Sequence, residues 1–170
     1  VPGDVIIGLK SNGLHTNGYS LARKIVKEVA GKSYSDIFEE TGKTFGQELL
    51  RPHRPYSPVL KLMEKNLIKG CAHLTGGGFQ DNIDRVLPGN CDAVINTKAW
   101  TPDPIFTWMQ KQGNVETDEM YHTFNMGIGL AMVVKPEHAA EILASEELKG
   151  FDPVVIGAVA SGSGKVVMEY

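Results

Sequence analysis

Two glycine-rich turns constrain how this sequence folds more than any other feature. Each turn separates an apolar run from a segment with helical periodicity. The apolar run 4–11 enters the loop 11–18, and the run 70–75 enters the glycines 76–78. Glycine makes up 19 of the 170 residues, whereas its average share in proteins is about 7%. Strands that alternate with helices in this way predict an α/β (α+β) domain, with helices packed on a mixed β-sheet.

Apolar periodicity and turn residues predict the remaining elements. We expect strands at 4–11, 70–75, 91–96, 128–134, 154–159 and 165–169. We expect helices at 19–30, 45–50, 58–66, 79–86, 104–112, 118–124 and 136–147, and a short helical piece at 36–40. The last two strands flank the turn 161–164 and predict a β-hairpin, so a purely parallel sheet is not expected.

Length and composition exclude several classes of protein. The length fits one domain, and a net charge of −3 gives no field that would attract nucleic acid. No apolar stretch approaches the roughly 20 residues that a membrane span needs. Cys71 and Cys91 lie in apolar runs, which predicts buried, inert thiols. Two cysteines are too few for a disulfide framework, and together with the absence of an apolar span they predict a cytoplasmic setting. We therefore expect no nucleic-acid or membrane partner. Because the first residue is Val1 rather than Met, we expect a piece of a longer protein.

The two glycine-rich loops are candidate anion sites. A glycine loop that opens a helix exposes backbone N–H donors at the positive end of the helix dipole. The candidate substrate- or phosphate-binding residues are Ser11, Asn12, Gly13, Asn17, Gly18, Thr75, Gly76, Gly77 and Gly78. Spacing alone leaves the alternative open that these glycines only make sharp turns at strand ends. Neither loop matches the phosphate-binding P-loop or the dinucleotide fingerprint, so nicotinamide chemistry has little support.

Histidine and cysteine spacing predicts no metal site, because no two histidines show ligand spacing with a third ligand nearby. His15 lies between glycines in a polar loop, which makes it the candidate catalytic residue, either contacting a phosphate or transferring a proton. A structural role for His15 remains equally open. His73 lies in an apolar strand, where a hydrogen-bonded, half-buried role is favoured.

Charged residues form two further patterns. Glu116, Asp118 and Glu119 form a cluster that either binds Mg²⁺ near a phosphate or begins a helix with acidic residues that favour its dipole. Arg51 and Arg54 either pair with a phosphate or partner carboxylate, or are simply solvated at the surface.

Three motifs carry a resemblance to a known family. They are GLHTNGYSLAR at 13–23, HLTGGGF at 73–79 and EMYHTFNMGIG at 119–129. With them, nearly the whole chain resembles the C-terminal half of the aminoimidazole ribonucleotide synthetase family, the phosphoribosylformylglycinamidine cyclo-ligases. Two positions depart from the family pattern. His122 stands where arginine is common, and the segment 51–56 differs from the usual Pro-Thr-Arg, with His53 after Pro52.

The resemblance implies that residues 1–170 are the C-terminal domain of a two-domain enzyme of purine biosynthesis. It implies that ATP phosphorylates the formyl oxygen of formylglycinamidine ribonucleotide, after which an amine closes the imidazole ring. ATP and Mg²⁺ are then bound mainly by the N-terminal domain, which is absent from this chain, and the full-length enzyme is expected to be a homodimer. The isolated domain is expected to be inactive.

Two alternatives to this interpretation stay open. One is a domain of another ATP-dependent relative, of the formylglycinamidine synthetase, selenophosphate synthetase or thiamine-phosphate kinase type. The other is a stand-alone anion-binding module.

Overall fold

The computed structural model describes residues 1–170, in which helices and strands alternate along the chain. The strands are β1 (Val5–Lys10), β2 (Ile37–Phe38), β3 (Lys43–Thr44), β4 (Ile68–His73), β5 (Cys91–Asn96), β6 (Ile128–Val134), β7 (Val154–Ser161) and β8 (Val166–Glu169). The helices are α1 (Tyr19–Lys24), α2 (Phe45–Leu49), α3 (Val59–Glu64), α4 (Gln80–Ile83), α5 (Pro104–Gly113), α6 (Thr117–Thr123) and α7 (Pro136–Leu143). Helix α1 continues as a π-helical segment, Ile25–Val29.

The main sheet has six strands in the order β4-β6-β1-β7-β5-β8. Neighbouring strands are antiparallel except β5 and β8, which are parallel. Strands β1, β4, β5 and β8 therefore run in one direction, and their carboxyl ends meet at the end of the sheet where β6 begins. We call this the loop end of the sheet, because both glycine-rich loops leave their strands there. The mixed sheet with its helices confirms the predicted fold class.

Both faces of the sheet are packed where the central strands lie. Helices α1, α2, α4, α5 and α6 cover one face and form the larger apolar cluster. Helices α3 and α7 cover the other face at β1 and β6. All seven residues of β6 are buried, which explains why its sequence is a continuous apolar run rather than an alternating one. No helix in the structure combines the length and apolar character that a membrane crossing requires.

Most predicted elements are confirmed, and the strands Cys91–Asn96 and Ile128–Val134 have the predicted bounds. The helical piece expected at 36–40 is wrong. That segment enters strand β2, which pairs with β3 across a turn that Gly42 closes with a φ of 70°. Phe38 on β2 is buried against Phe45 and Trp108, so tertiary packing decides its conformation. Both cysteines are free thiols, and burial raises the pKa of Cys71 to about 11.

The predicted terminal hairpin is also wrong, because β7 and β8 lie on opposite sides of β5. The carboxylate of Asp92 on β5 explains the path. Its Oδ1 atom accepts hydrogen bonds from the backbone N–H groups of Ser163 at 2.7 Å and Lys165 at 2.8 Å. Gly162 passes so close to this carboxylate that a Cβ would overlap it. The turn after β7 thus wraps around Asp92 and places β8 beyond β5.

Replacing Asp92 is expected to loosen the outermost strand. Asp92→Ala removes the acceptor for both N–H groups, so we expect a lower Tm and faster amide hydrogen exchange in β8 than in β7. Asp84→Ala, which changes an exposed carboxylate elsewhere, serves as the control and leaves both quantities near their native values. Native protection of β8 in Asp92→Ala would contradict this explanation of the crossover.

Candidate functional site

Three segments converge at the loop end of the sheet. The first loop (11–18) follows β1, the second loop (75–78) follows β4, and the turn 124–127 precedes β6. Strand β6 pairs with both β1 and β4, so the three segments are held side by side by the sheet itself. Backbone bonds continue the pairing beyond the strands, from Ser11 N–H to the Gly127 carbonyl and from Leu74 N–H to the Gly129 carbonyl, each 2.9 Å.

The side chain of Asn125 ties the first loop to the turn before β6. Its Oδ1 atom accepts from the Ser11 hydroxyl at 2.9 Å and from the Gly127 N–H at 2.9 Å. Its Nδ2 atom donates to the Gly13 carbonyl at 3.0 Å. Asn125 is 3% exposed, so these bonds form out of water, where leaving any of the groups unpaired is costly. This one amide therefore holds the first loop at two points, Ser11 and Gly13.

Glycines let the loops approach α6 and one another. A Cβ at Gly18 would overlap the ring of Phe124, and a Cβ at Gly78 would overlap the backbone carbonyl of Tyr121. Both glycines also have positive φ, 76° at Gly18 and 61° at Gly78. A Cβ at Gly76 would lie 3.5 Å from the side-chain oxygen of Asn17, so the first and second loops meet there. The two sequence-predicted loops thus form one surface.

In the second loop, backbone carbonyls accept hydrogen bonds from a buried side chain, while two backbone N–H groups have no acceptor. The buried Asn82 donates through Nδ2 to the carbonyls of Gly78 at 2.7 Å and Gly76 at 3.3 Å. The Thr75 hydroxyl donates to Asn82 Oδ1 at 3.1 Å, so this hydroxyl is already used as a donor. The backbone N–H groups of Gly76 and Gly77 have no backbone acceptor in the chain. Two adjacent free N–H donors in a glycine turn suit an anion.

His15 is buried in the first loop rather than exposed on it. It is 4% exposed, has a φ of 59°, and accepts from the Asn12 N–H through Nε2 at 3.0 Å. Burial, together with the neighbouring His53 and His73 rings, lowers the pKa of His15 to about 3. The ring is therefore neutral near pH 7, and its Nδ1 atom is buried without a partner. This placement favours the structural alternative, and the catalytic role of His15 stays a prediction.

Arg51 holds Asn12, and its charge is compensated inside the chain. The side-chain oxygen of Asn12 accepts from Arg51 Nε at 3.0 Å and Nη2 at 2.7 Å. Arg51 Nη1 in turn lies 2.7 Å from an oxygen of Asp103 and 3.4 Å from an oxygen of Glu48. Arg51 is thus neither a solvated surface residue nor a free cation for a phosphate. Arg54 donates to the Gly150 carbonyl at 2.8 Å.

The acidic cluster begins a helix. Asp118 and Glu119 lie in the first turn of α6, which agrees with the prediction that these acidic residues begin a helix. They border an open concavity of about 630 Å³ that Gln80, His122 and Tyr170 also line. Because its charged groups include two carboxylates, this concavity disfavours an anion. The glycine loops beside it offer N–H donors, with the Asp81 carboxylate close to Gly77, and they remain the candidate anion site.

Histidines that are far apart in sequence meet in the structure. His15, His53 and His73 lie close enough for one nitrogen of each ring to fall within 4.8 Å of the other two. This finding corrects the premise of the predicted absence of a metal site, which considered only spacing along the chain. Spacing cannot detect ligands that three separate segments contribute.

Sequence reasoning assigned no role to two residues that organise the site, Asn125 and Asn82. The available signal for Asn125 was an Asn two residues before Gly127, a pattern typical of turns, and the structure shows positive φ at both Met126 and Gly127, 47° and 94°. For Asn82 the signal was an amide three residues after the buried Phe79 on an otherwise apolar helix face. Buried amides beside glycine turns satisfy backbone groups that no regular element can pair.

Removing the Asn125 amide is expected to destabilise the site without touching its surface. Asn125→Ala leaves the Gly127 N–H, the Gly13 carbonyl and the Ser11 hydroxyl without their partner, which costs about 2–4 kcal/mol of unfolding free energy. Urea unfolding measures this loss. Gln112→Ala, an exposed amide on α5, is the control and stays within about 0.5 kcal/mol of native. An equal effect of both variants would contradict the role of Asn125.

Comparison with known proteins adds sequence relatives. Residues 1–169 match the family model described as AIR synthase related protein, C-terminal domain. The phosphoribosylformylglycinamidine cyclo-ligase of Alkaliphilus oremlandii is 46% identical over 167 residues, which cover 98% of this chain and 49% of that relative. The relative in Arabidopsis thaliana, named phosphoribosylformylglycinamidine cyclo-ligase, chloroplastic, is 47% identical over 167 residues, covering 96% of this chain and 42% of that relative. The chain spans about half the length of these curated relatives.

Solved structures share the fold at low identity. Thiamine-monophosphate kinase from Stenotrophomonas maltophilia matches with a TM-score of 0.65 and 14% identity, over 99% of this chain and 51% of that one. Hydrogenase maturation protein HypE in complex with ATP matches with a TM-score of 0.62 and 19% identity, over 99% of this chain and 48% of that one. The sequence match decides the family, and it confirms the resemblance that the three motifs indicated. The chain belongs to the AIR synthase related protein family and matches the C-terminal domain of that family.

Proposed function

We propose that this chain is the substrate-side domain of a phosphoribosylformylglycinamidine cyclo-ligase, whose other half precedes it in the full-length protein. The observation that carries the proposal is the convergence of the three motif segments 13–23, 73–79 and 119–129 at one end of the sheet. The relatives at 46–47% identity bear the cyclo-ligase name, whereas the kinase and HypE structures share only the fold. The sequence relatives therefore favour the cyclo-ligase over the alternatives.

In the proposed reaction, ATP transfers its terminal phosphoryl group to the formyl oxygen of formylglycinamidine ribonucleotide. The neighbouring amine attacks the activated carbon, and the imidazole ring closes as phosphate leaves. Catalysis of this kind is mostly positioning and neutralisation of negative charge. The free N–H groups of Gly76 and Gly77, with the side chain of Asn17 beside them, are the groups of this chain placed to bind a phosphate oxygen.

ATP and its magnesium ion belong to the N-terminal half in this proposal. HypE, which shares the fold, forms a complex with ATP, and its chain is about twice as long as this one. Within residues 1–170 the only group of three potential metal ligands is the histidine cluster, and its nitrogen ligands do not suit Mg²⁺. A homodimer and a cytoplasmic setting are part of the same proposal, although the Arabidopsis relative is named chloroplastic.

The division of labour between the halves can be measured directly. We expect the full-length protein to release ADP when formylglycinamidine ribonucleotide and ATP are both present, and residues 1–170 alone to release none. Thiamine monophosphate in place of the substrate is the control for the kinase alternative. Release with thiamine monophosphate only, or turnover by the isolated 170 residues, would contradict the proposal.

Asn17 is the sharpest probe of the loop surface. Asn17→Ala removes a half-buried amide beside Gly76, and we expect kcat/KM of the full-length enzyme to fall about 10- to 100-fold, the effect of one hydrogen bond to a charged group. The Tm should stay close to native. Asn90→Ala changes an exposed asparagine that precedes β5, at the opposite end of the sheet, and is the matched control. Kinetics of Asn17→Ala equal to those of the control would remove the first loop from the site.

A further inference from the structure

The three histidines of the cluster come from separate parts of the fold. His15 lies in the first loop, His53 in the segment between α2 and α3, and His73 at the end of β4. The His15 and His53 rings are stacked, with centroids 4.0 Å apart and an angle of 17° between their planes. Nε2 of His53 lies 3.1 Å from Nε2 of His73. Within the cluster the His15 side chain is buried, whereas the side chains of His53 and His73 reach solvent.

The spacing of the ring nitrogens fits a shared ion. Two imidazole nitrogens on a tetrahedral zinc ion, each 2.0–2.1 Å from the metal, lie about 3.3 Å apart. His53 and His73 already have this separation, at 3.1 Å. The largest nitrogen separation in the cluster is under 4.8 Å, so His15 completes the set after a shift of about 1–1.5 Å.

We propose that His15, His53 and His73 bind one divalent transition-metal ion of the Zn²⁺ class, with the fourth coordination position open. Neutral imidazoles suit Zn²⁺, Co²⁺, Ni²⁺ and Cu²⁺, whereas Mg²⁺ prefers oxygen ligands. Three protein ligands and an open position are typical of zinc sites that bind a further water or anion. The site is distinct from the magnesium of ATP, and it does not depend on the proposed function.

A hydrogen bond between two histidines explains only part of this arrangement. It pairs the Nε2 atoms of His53 and His73, but it leaves His15 Nδ1 buried with no partner. Arg54, whose charge acts on His15, donates to the Gly150 carbonyl at 2.8 Å and lies over the Phe151 ring, so other partners hold its guanidinium.

Metal binding must change one hydrogen bond of the first loop. A neutral imidazole has a single nitrogen lone pair, and in His15 that lone pair accepts from the Asn12 N–H at 3.0 Å. Whichever ring nitrogen binds the metal, the lone pair then belongs to the metal, and the Asn12 amide loses its acceptor. The amide resonance of Asn12 therefore reports metal binding independently of any activity.

Cobalt supplies the direct test. The protein, stripped of metal by a chelator, is titrated with Co²⁺ and followed by its visible absorption. We expect one tightly bound Co²⁺ per chain, with an intense tetrahedral-type spectrum that Zn²⁺ abolishes and Mg²⁺ leaves unchanged. His53→Thr and His73→Ala are each expected to weaken binding at least about 100-fold, more than is typical when a residue that only orients a ligand is changed. His138→Ala, on helix α7 away from the cluster, is the matched control and retains native affinity.

Each outcome decides the proposal. His53 is accessible to solvent, so His53→Thr is expected to fold with a native Tm, and its loss of Co²⁺ binding then reflects a lost ligand. In ¹⁵N spectra, Zn²⁺ should move the Asn12 amide of the native protein and not that of His53→Thr. The proposal is overturned if no Co²⁺ binds, if binding survives both cluster variants, or if Zn²⁺ leaves the Asn12 amide in place.

Discussion

The site depends on one constraint, the pairing of β6 with both β1 and β4. Because β1 and β4 run antiparallel to the same strand, their carboxyl ends lie next to each other, on either side of the turn that begins β6. Asn125 in that turn then fastens the first loop through three hydrogen bonds. The sheet brings the two loops together, and the buried amides of Asn125 and Asn82 hold the first and the second loop, respectively.

The chemistry of this surface follows from what remains unpaired on it. Arg51 is neutralised by Glu48 and Asp103, and His15 is neutral, so no free cation faces the loops from these residues. The proposed binding of a substrate phosphate therefore relies on backbone N–H groups, which carry fixed partial charges and need no reorganisation. The histidine cluster would add a positive charge next to the first loop only when it holds a metal ion. The proposed metal site and the proposed substrate site are thus neighbours with separate chemistry.

The sequence allowed much of the fold and the positions of the two glycine-rich loops to be predicted, because local patterns determine both. Apolar runs predicted β5 and β6 to the residue, and glycine content located both loops. The failures come from long-range contacts. Hydrogen bonds to Asp92 redirect the chain after β7. The packing of Phe38 against Phe45 favours a strand where the sequence predicted a helix. His53 reaches His15 and His73 from a separate segment. None of these contacts leaves a periodic trace along the chain. Asn125 was within a recognised motif, but only its burial shows what it does.

Amide hydrogen exchange of the full-length protein, with and without formylglycinamidine ribonucleotide and a non-hydrolysable ATP analogue, tests the central claim most directly. The claim is that the two loops form one ligand-facing surface. It predicts that peptides covering 11–18 and 75–78 gain protection together when the ligands bind, while the turn at 161–165 does not change. Bound ligands that protect other segments and leave both loops exchanging at their original rates would contradict the account.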